Sequence, residues 1–403
     1  MIKQKLVFCI SFIYLILTQT TFYTNAQSIR YPYVQPEEVG MSYERLQALA
    51  DTVRYWIDNE EIVGAVVLII KNGKITLHEA MGYADTKKGI KMKTDHIFRL
   101  RSMTKPFVGS GILMLAEEGK LCIEDKVAMY IPSYNTPEIK EITIYQLLTH
   151  TSGIRGSIFD GATGSHFETL WEAVENIGNE GNVAFEPGTS YSYSDPGSST
   201  LGAIIESVTG RPSEYFIHQR IIDPLGLDDT FCTLVEEDDP RRSRISATYR
   251  GGPGGWEQYW DNSLPKAVPF FRASGGMFST VMDYARFLNV MMNEGKYDES
   301  HLLSPITVRL ATSPQTIRVY QPEQWKEESR FYGLHWFVYT ENWASGGPVT
   351  PGTLGHGGSD GTLGFVDPQN ELIALYFTQS RGTATRSSFM RMVFEAIIET
   401  KVQ

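Results

Sequence analysis

Apolar residues between positions 42 and 59 fall at Leu46, Leu49, Ala50, Val53, Trp56 and Ile57. That three- and four-residue spacing predicts an amphipathic helix with one buried face. The apolar run 65–70 is followed by Asn72-Gly73 and then by the strand-like 74–78; an Asn-Gly pair between two such runs predicts a tight β-hairpin. The far end mirrors this. Residues 363–366 and 372–378 read as strands around Asp367-Pro368-Gln369-Asn370, and 389–398 returns to helical periodicity. Between the two ends, helical stretches at 112–118, 201–208 and 215–222 are separated by Gly/Pro/Ser loops. The most glycine-rich of these, Gly251-Gly252-Pro253-Gly254-Gly255, precedes Trp256, Tyr259 and Trp260 and reads as loop, at most a lip at a cleft entrance. The simplest architecture is α/β in an α+β layout: an antiparallel sheet flanked by N- and C-terminal helices, with an inserted all-helical lobe. Residues 38–403 then form a single unit, with a sheet lobe of about 38–103 plus 271–403, a helical lobe of about 104–270, and a cleft between them.

Composition narrows the function classes. Hydrophobic residues make up 42% and aromatic residues 12%, enough to bury a core and to exclude disorder as the main state. The net charge of −11, with no run of Lys/Arg, excludes a nucleic-acid partner. The eight histidines are scattered, with no pair at helical ligand spacing and no Cys-x-x-Cys, so no metal site is expected. At the N-terminus, Lys3 and Lys5 precede the apolar run 6–17, and Thr24-Asn25-Ala26 supplies small residues at a cleavage point. Residues 1–26 therefore read as a secretory signal, too short to span a bilayer comfortably. Cys9 lies inside the apolar run, which argues against a lipidated cysteine. A periplasmic or secreted protein without a stable membrane anchor is expected. In such a compartment Cys122 and Cys232 could pair, or remain two buried thiols.

Three segments could carry chemistry. In Ser102-Met103-Thr104-Lys105, a helix beginning near Ser102 puts Lys105 on the same face one turn on. A serine hydroxyl needs a neighbour to take its proton, and a desolvated lysine can do so. In Tyr191-Ser192-Tyr193-Ser194-Asp195, Tyr193 and Asp195 could project side by side from a polar loop. A phenol close to an ammonium has a lowered pKa and could exchange protons with a serine. In His356-Gly357-Gly358-Ser359-Asp360-Gly361, glycines would let a substrate approach a strand backbone whose amide stabilises an oxyanion. The Gly-x-Ser-x-Gly within it is not a nucleophile elbow, because that fold needs a histidine after the serine and His356 is the last in the chain.

Together these segments resemble the serine β-lactamase-like family that includes class C β-lactamases, penicillin-binding DD-peptidases, carboxylesterases and D-amino-acid amidohydrolases. Ser102-Met103-Thr104-Lys105 matches Ser-x-x-Lys, Tyr193-Ser194-Asp195 stands for Tyr-x-Asn, and His356-Gly357-Gly358 stands for Lys-Thr-Gly. Leu147-Leu148-Thr149-His150-Thr151-Ser152-Gly153, Pro224-Leu225-Gly226-Leu227 and Ala273-Ser274-Gly275-Gly276-Met277 follow the family in order, from about Val39 onward. The resemblance implies an acyl-enzyme on Ser102, with Lys105 and Tyr193 sharing the proton work as base and acid. It also implies an oxyanion hole from the backbone N–H groups of Ser102 and Ser359, substrate contacts from Asp195, His356, Gly357 and Gly358, and no cofactor. His150 is structural in relatives. Asp195 in place of asparagine can only accept hydrogen bonds and should hold Lys105 protonated, shifting the base role toward Tyr193. His356 in place of lysine removes a fixed positive charge from the site. Both departures favour a small-molecule or peptide-like ester or amide over a β-lactam. The alternatives are a β-lactamase or D-Ala-D-Ala carboxypeptidase, and a non-catalytic penicillin-binding sensor; oligomeric state is left open.

Overall fold

The computed structural model describes residues 31–159, 166–321, 324, 330–340 and 349–398. The signal expected at 1–26 lies outside the described residues. Eight strands form one antiparallel sheet, in the spatial order Arg330–Tyr332, Phe337–Tyr339, Leu354–Gly357, Leu363–Asp367, Leu372–Thr378, Gly64–Lys71, Lys74–Asp85, Ile90–Lys91. The two ends of the chain meet at its centre, where Ala65 pairs with Thr378 and Lys71 with Leu372. Asn72 and Gly73, at φ 51° and 68°, make the hairpin turn expected from their sequence; both need the left-handed region, which asparagine and glycine tolerate best.

The strand Gly64–Lys71 is buried at every position because it has a core on each face. Ala65, Val67 and Ile69 pack with Leu46, Leu49 and Val53 of the N-terminal helix Tyr43–Asp58 and with Phe389 and Val393 of the C-terminal helix Thr385–Glu395. Val66, Leu68 and Ile70 point the other way, into a larger core built with Phe107, Ile112, Leu201 and Leu288. This is the period-two alternation of a strand, read out on two apolar layers. At the heart of the larger core is the helix Lys105–Glu117, buried from Lys105 through Leu115. Packed against it is the helix Asp195–Thr209, which begins six residues before the apolar periodicity because Ser194 caps it and Pro196 suits its first turn.

Two segments differ from the sequence reading. Residues 215–222 divide into a helix, Ser213–Ile217, and a wider π-type turn, His218–Ile222. The glycine-rich 251–255 is the turn of a hairpin, whose strands Thr248–Arg250 and Glu257–Trp260 form a small sheet with Ser380–Arg381. Cys122 and Cys232 are unpaired: Cys232 is buried as a small hydrophobe and Cys122 is exposed. Among the described residues no helix is long and apolar enough to cross a membrane.

Candidate active site

The segment carrying Ser102 is held from both sides. Strand Phe98–Arg99 pairs with Phe278–Ser279, and the Leu100 N–H donates to the Met277 carbonyl at 2.9 Å. The chain then turns through Arg101, whose φ of 51° is unusual for a residue with a side chain. Two side-chain contacts hold it there: Arg101 Nε donates to Asp360 Oδ2 at 2.5 Å and a terminal nitrogen donates to the Tyr259 hydroxyl at 3.0 Å. Ser102 sits in the tight 3₁₀ turn Arg101–Thr104 that feeds the helix Lys105–Glu117, rather than in the α-helix itself. Residues three apart in such a turn share a face, while Lys105 Nζ takes its hydrogen bonds at Asp195 and Ser274 rather than at Ser102.

Lys105 is fully buried, and its Nζ donates to Asp195 Oδ1 at 2.6 Å and to the Ser274 carbonyl at 2.9 Å. Asp195 also accepts from Arg272 at 3.1 Å. Burial pushes the Lys105 pKa down to about 8, with Asp195 opposing the fall and Arg272 adding to it. Tyr193 lines the same cleft, with its ring centroid 4.6 Å from Lys105 Nζ and its phenol hydrogen-bonded with Ser102. Here the expected lowering of the phenol pKa is reversed. Burial raises it above the ordinary tyrosine value, Asp195 and Tyr191 add to the rise, and the bond with Ser102 only partly offsets it. The ammonium lies over the ring face while the carboxylate that neutralises it is close by, so the phenolate gains little from it. The two directions run against a phenolate at Tyr193 and toward a neutral amine at Lys105.

Opposite Ser102 lies the strand Leu354–Gly357. A Cβ on Gly358, the residue after it, would stand 2.2 Å from Thr362 Oγ1 and 2.4 Å from the Leu100 carbonyl, so only glycine lets this backbone approach the Ser102 turn. Gly357 and the exposed Ser359 line the same cleft of about 460 Å³ as Ser102. His356 also borders it but is buried. Its Nε2 accepts from the Tyr332 hydroxyl at 3.0 Å, its Nδ1 pairs with the Gly357 carbonyl at 2.9 Å, and burial drives its pKa well below the ordinary value, leaving it neutral. His150 is buried as well; its Nδ1 accepts the Ser194 N–H at 3.2 Å and its ring packs 4.5 Å from that of Tyr193.

The structure thus lines one cleft with Ser102, Tyr193, His356, Gly357, Gly358 and Ser359, and places Lys105, bonded to Asp195, against the ring of Tyr193. Sequence reasoning missed four groups beside them. Arg272 immediately precedes the family-like Ala273-Ser274-Gly275 stretch, and that adjacency was the available signal. Asp360 is fully buried and accepts from Arg101 and, at 2.7 Å, from Tyr259; it stands in the glycine segment already singled out, but its partners are far away in sequence. Arg330 and Arg386 line the cleft and form no ion pair with the described residues. Arg386 donates to the Gly358 carbonyl at 3.1 Å and Arg330 lies 4.0 Å from the Phe337 ring centroid. Both arrive from elements far away in sequence.

The family model described as Beta-lactamase matches residues 48–393. A protein of Escherichia coli K12 named "Putative D-alanyl-D-alanine carboxypeptidase" is 28% identical over 397 residues, covering 86% of each chain. Among solved structures, EstCE1, a hydrolase with promiscuous acyltransferase activity, superposes with a TM-score of 0.74 at 23% identity, over 88% of this chain and 99% of its own. The D-amino acid amidase of Ochrobactrum anthropi superposes with a TM-score of 0.67 at 19% identity, over 88% and 98%.

Proposed function

The chain belongs to the Beta-lactamase family, and on that premise we propose that it is an exported serine hydrolase that cleaves a small or peptide-like ester or amide through an acyl-enzyme on Ser102. The observation that carries this reading is the single cleft in which Ser102, hydrogen-bonded with Tyr193, lies one turn before a fully buried Lys105 of lowered pKa. Near pH 8 an appreciable fraction of Lys105 is free amine and can take the Ser102 proton as Oγ bonds to the substrate carbonyl carbon. The carbonyl electrons move onto oxygen, where the N–H groups of Ser102 and Ser359 stabilise the charge. Collapse breaks the bond to the leaving group, and Tyr193 passes it the proton. Water then attacks the acyl-enzyme with the same groups acting in reverse. Asp195, held between Lys105 and Arg272, orients the amine and sets its pKa.

Neutral His356 offers no cation, yet Arg330 and Arg386 bring positive charge to the same cleft. That favours a second reading, a carboxypeptidase acting on a peptide with a free C-terminal carboxylate, in keeping with the name of the Escherichia coli relative. Turnover of p-nitrophenyl esters, nitrocefin and a peptide ending in D-Ala-D-Ala by the purified protein separates these. Esters fastest is the expected outcome; D-Ala release fastest selects the carboxypeptidase, and nitrocefin fastest reverses the ranking.

A further inference from the structure

A second cavity, of about 780 Å³, shares no lining residue with the Ser102 cleft. Its floor is Gly275, Gly276 and Met277, the segment that carries on from the Lys105-binding Ser274 carbonyl, and Phe278, Trp260, Leu234 and Val268 give it apolar walls. Three arginines line it, and two of them are already neutralised. Arg101 is paired with Asp360 and Arg272 with Asp195. Arg99 is different. Its Nη1 is shielded from solvent with no hydrogen-bond partner, its side chain forms no ion pair with the described residues, and its guanidinium lies 4.1 Å from the Trp260 ring centroid. Burial together with Arg101 depresses its pKa to about 9, and it remains charged at neutral pH.

A guanidinium nitrogen shielded from water and left without a hydrogen-bond partner is unfavourable, and native proteins rarely leave one uncompensated. Lys266 also lines the cavity and is paired with Glu236 at 3.4 Å; with it and the other two arginines balanced by carboxylates, the cavity carries one net positive charge beside a large apolar surface. We propose that this second cavity binds an amphipathic monocarboxylate, its carboxylate on Arg99 and its apolar body against Trp260, Phe278 and Leu234. A guanidinium edge pairs with a carboxylate through two parallel hydrogen bonds, and the aromatic wall accepts an aryl or alkyl chain. A dianion fits less well, because Asp195 and Asp360 stand behind the neighbouring arginines. The carboxylate belongs either to a free organic acid or to the far end of the acyl chain attacked by Ser102.

The test uses 4-phenylbutyrate and its neutral amide, titrated calorimetrically into the full-length Ser102→Ala protein, so that binding is read without any hydrolysis. The expected result is at least tenfold tighter binding of the acid, lost in Arg99→Gln and retained in the Arg330→Gln/Arg386→Gln double variant. Equal affinity for acid and amide on protein with Arg99 intact overturns the proposal, and so does a preference that survives Arg99→Gln or vanishes in the double variant. The acid–amide comparison decides the matter even if Arg99→Gln fails to fold. Rates on the p-nitrophenyl ester of adipic acid and on its methyl ester, measured with Ser102 present, identify the source. A tenfold Arg99-dependent preference for the free acid places the carboxylate on the substrate, and equal rates place it on a separate molecule.

Discussion

At the scale of single residues, the account rests on how burial and two charges set the Lys105 amine. Its pKa is lowered to about 8 and the base form is the deprotonated one, so kcat/KM should rise with pH through about 8 and then level. Asp195 is the group that holds the proton on. Asp195→Asn removes it while leaving Arg272 charged, and the acidic limb of the pH–rate profile for a p-nitrophenyl ester should move to lower pH. A limb that stays put, or moves upward, contradicts the assignment. Tyr193→Phe removes the hydroxyl that meets Ser102 and should lower kcat by about 10²–10⁴ with little change in KM. The motif residues were legible because Ser102 and Lys105 lie within one turn, where spacing alone predicts proximity. The fall at Lys105 was legible only as what burial would bring, and the rise at Tyr193 was not. Both depend on burial and on Arg272, and no local pattern in the sequence reports either.

At the scale of elements, the site depends on two backbones crossing closely: the Ser102 turn and the segment after the strand Leu354–Gly357. Gly358→Ala would drive a Cβ into the Leu100 carbonyl and Thr362 Oγ1, and should cost about 1–3 kcal/mol in a urea melt while lowering activity by more than the loss of folded protein explains. Asp360 is the clasp between these elements. It is fully buried and bonded to Arg101 and Tyr259, so Asp360→Ala should destabilise by about 3–5 kcal/mol because the Arg101 charge loses its partner. The hairpin at Asn72-Gly73 could be read from turn chemistry and the helix after Ser42 from apolar spacing, both of which are local. The strand pair Thr248–Arg250 and Glu257–Trp260 could not, because its third strand, Ser380–Arg381, comes from the other end of the chain. The same holds for Arg330 and Arg386, brought to the cleft by tertiary contacts alone.

At the scale of the whole molecule, the N-terminal hairpin and the C-terminal strands close one antiparallel sheet. Export with removal of residues 1–26 predicts an intact mass for the processed protein that starts at Gln27; a mass retaining the apolar run contradicts it. The central claim is that the Ser102 hydroxyl is the group acylated, and its most direct test is intact-protein and peptide mass spectrometry after exposure to a fluorophosphonate. The account predicts one adduct, on the peptide containing Ser102, and none in Ser102→Ala. An adduct on another residue, or a Ser102 that stays unlabelled in folded protein, would contradict it.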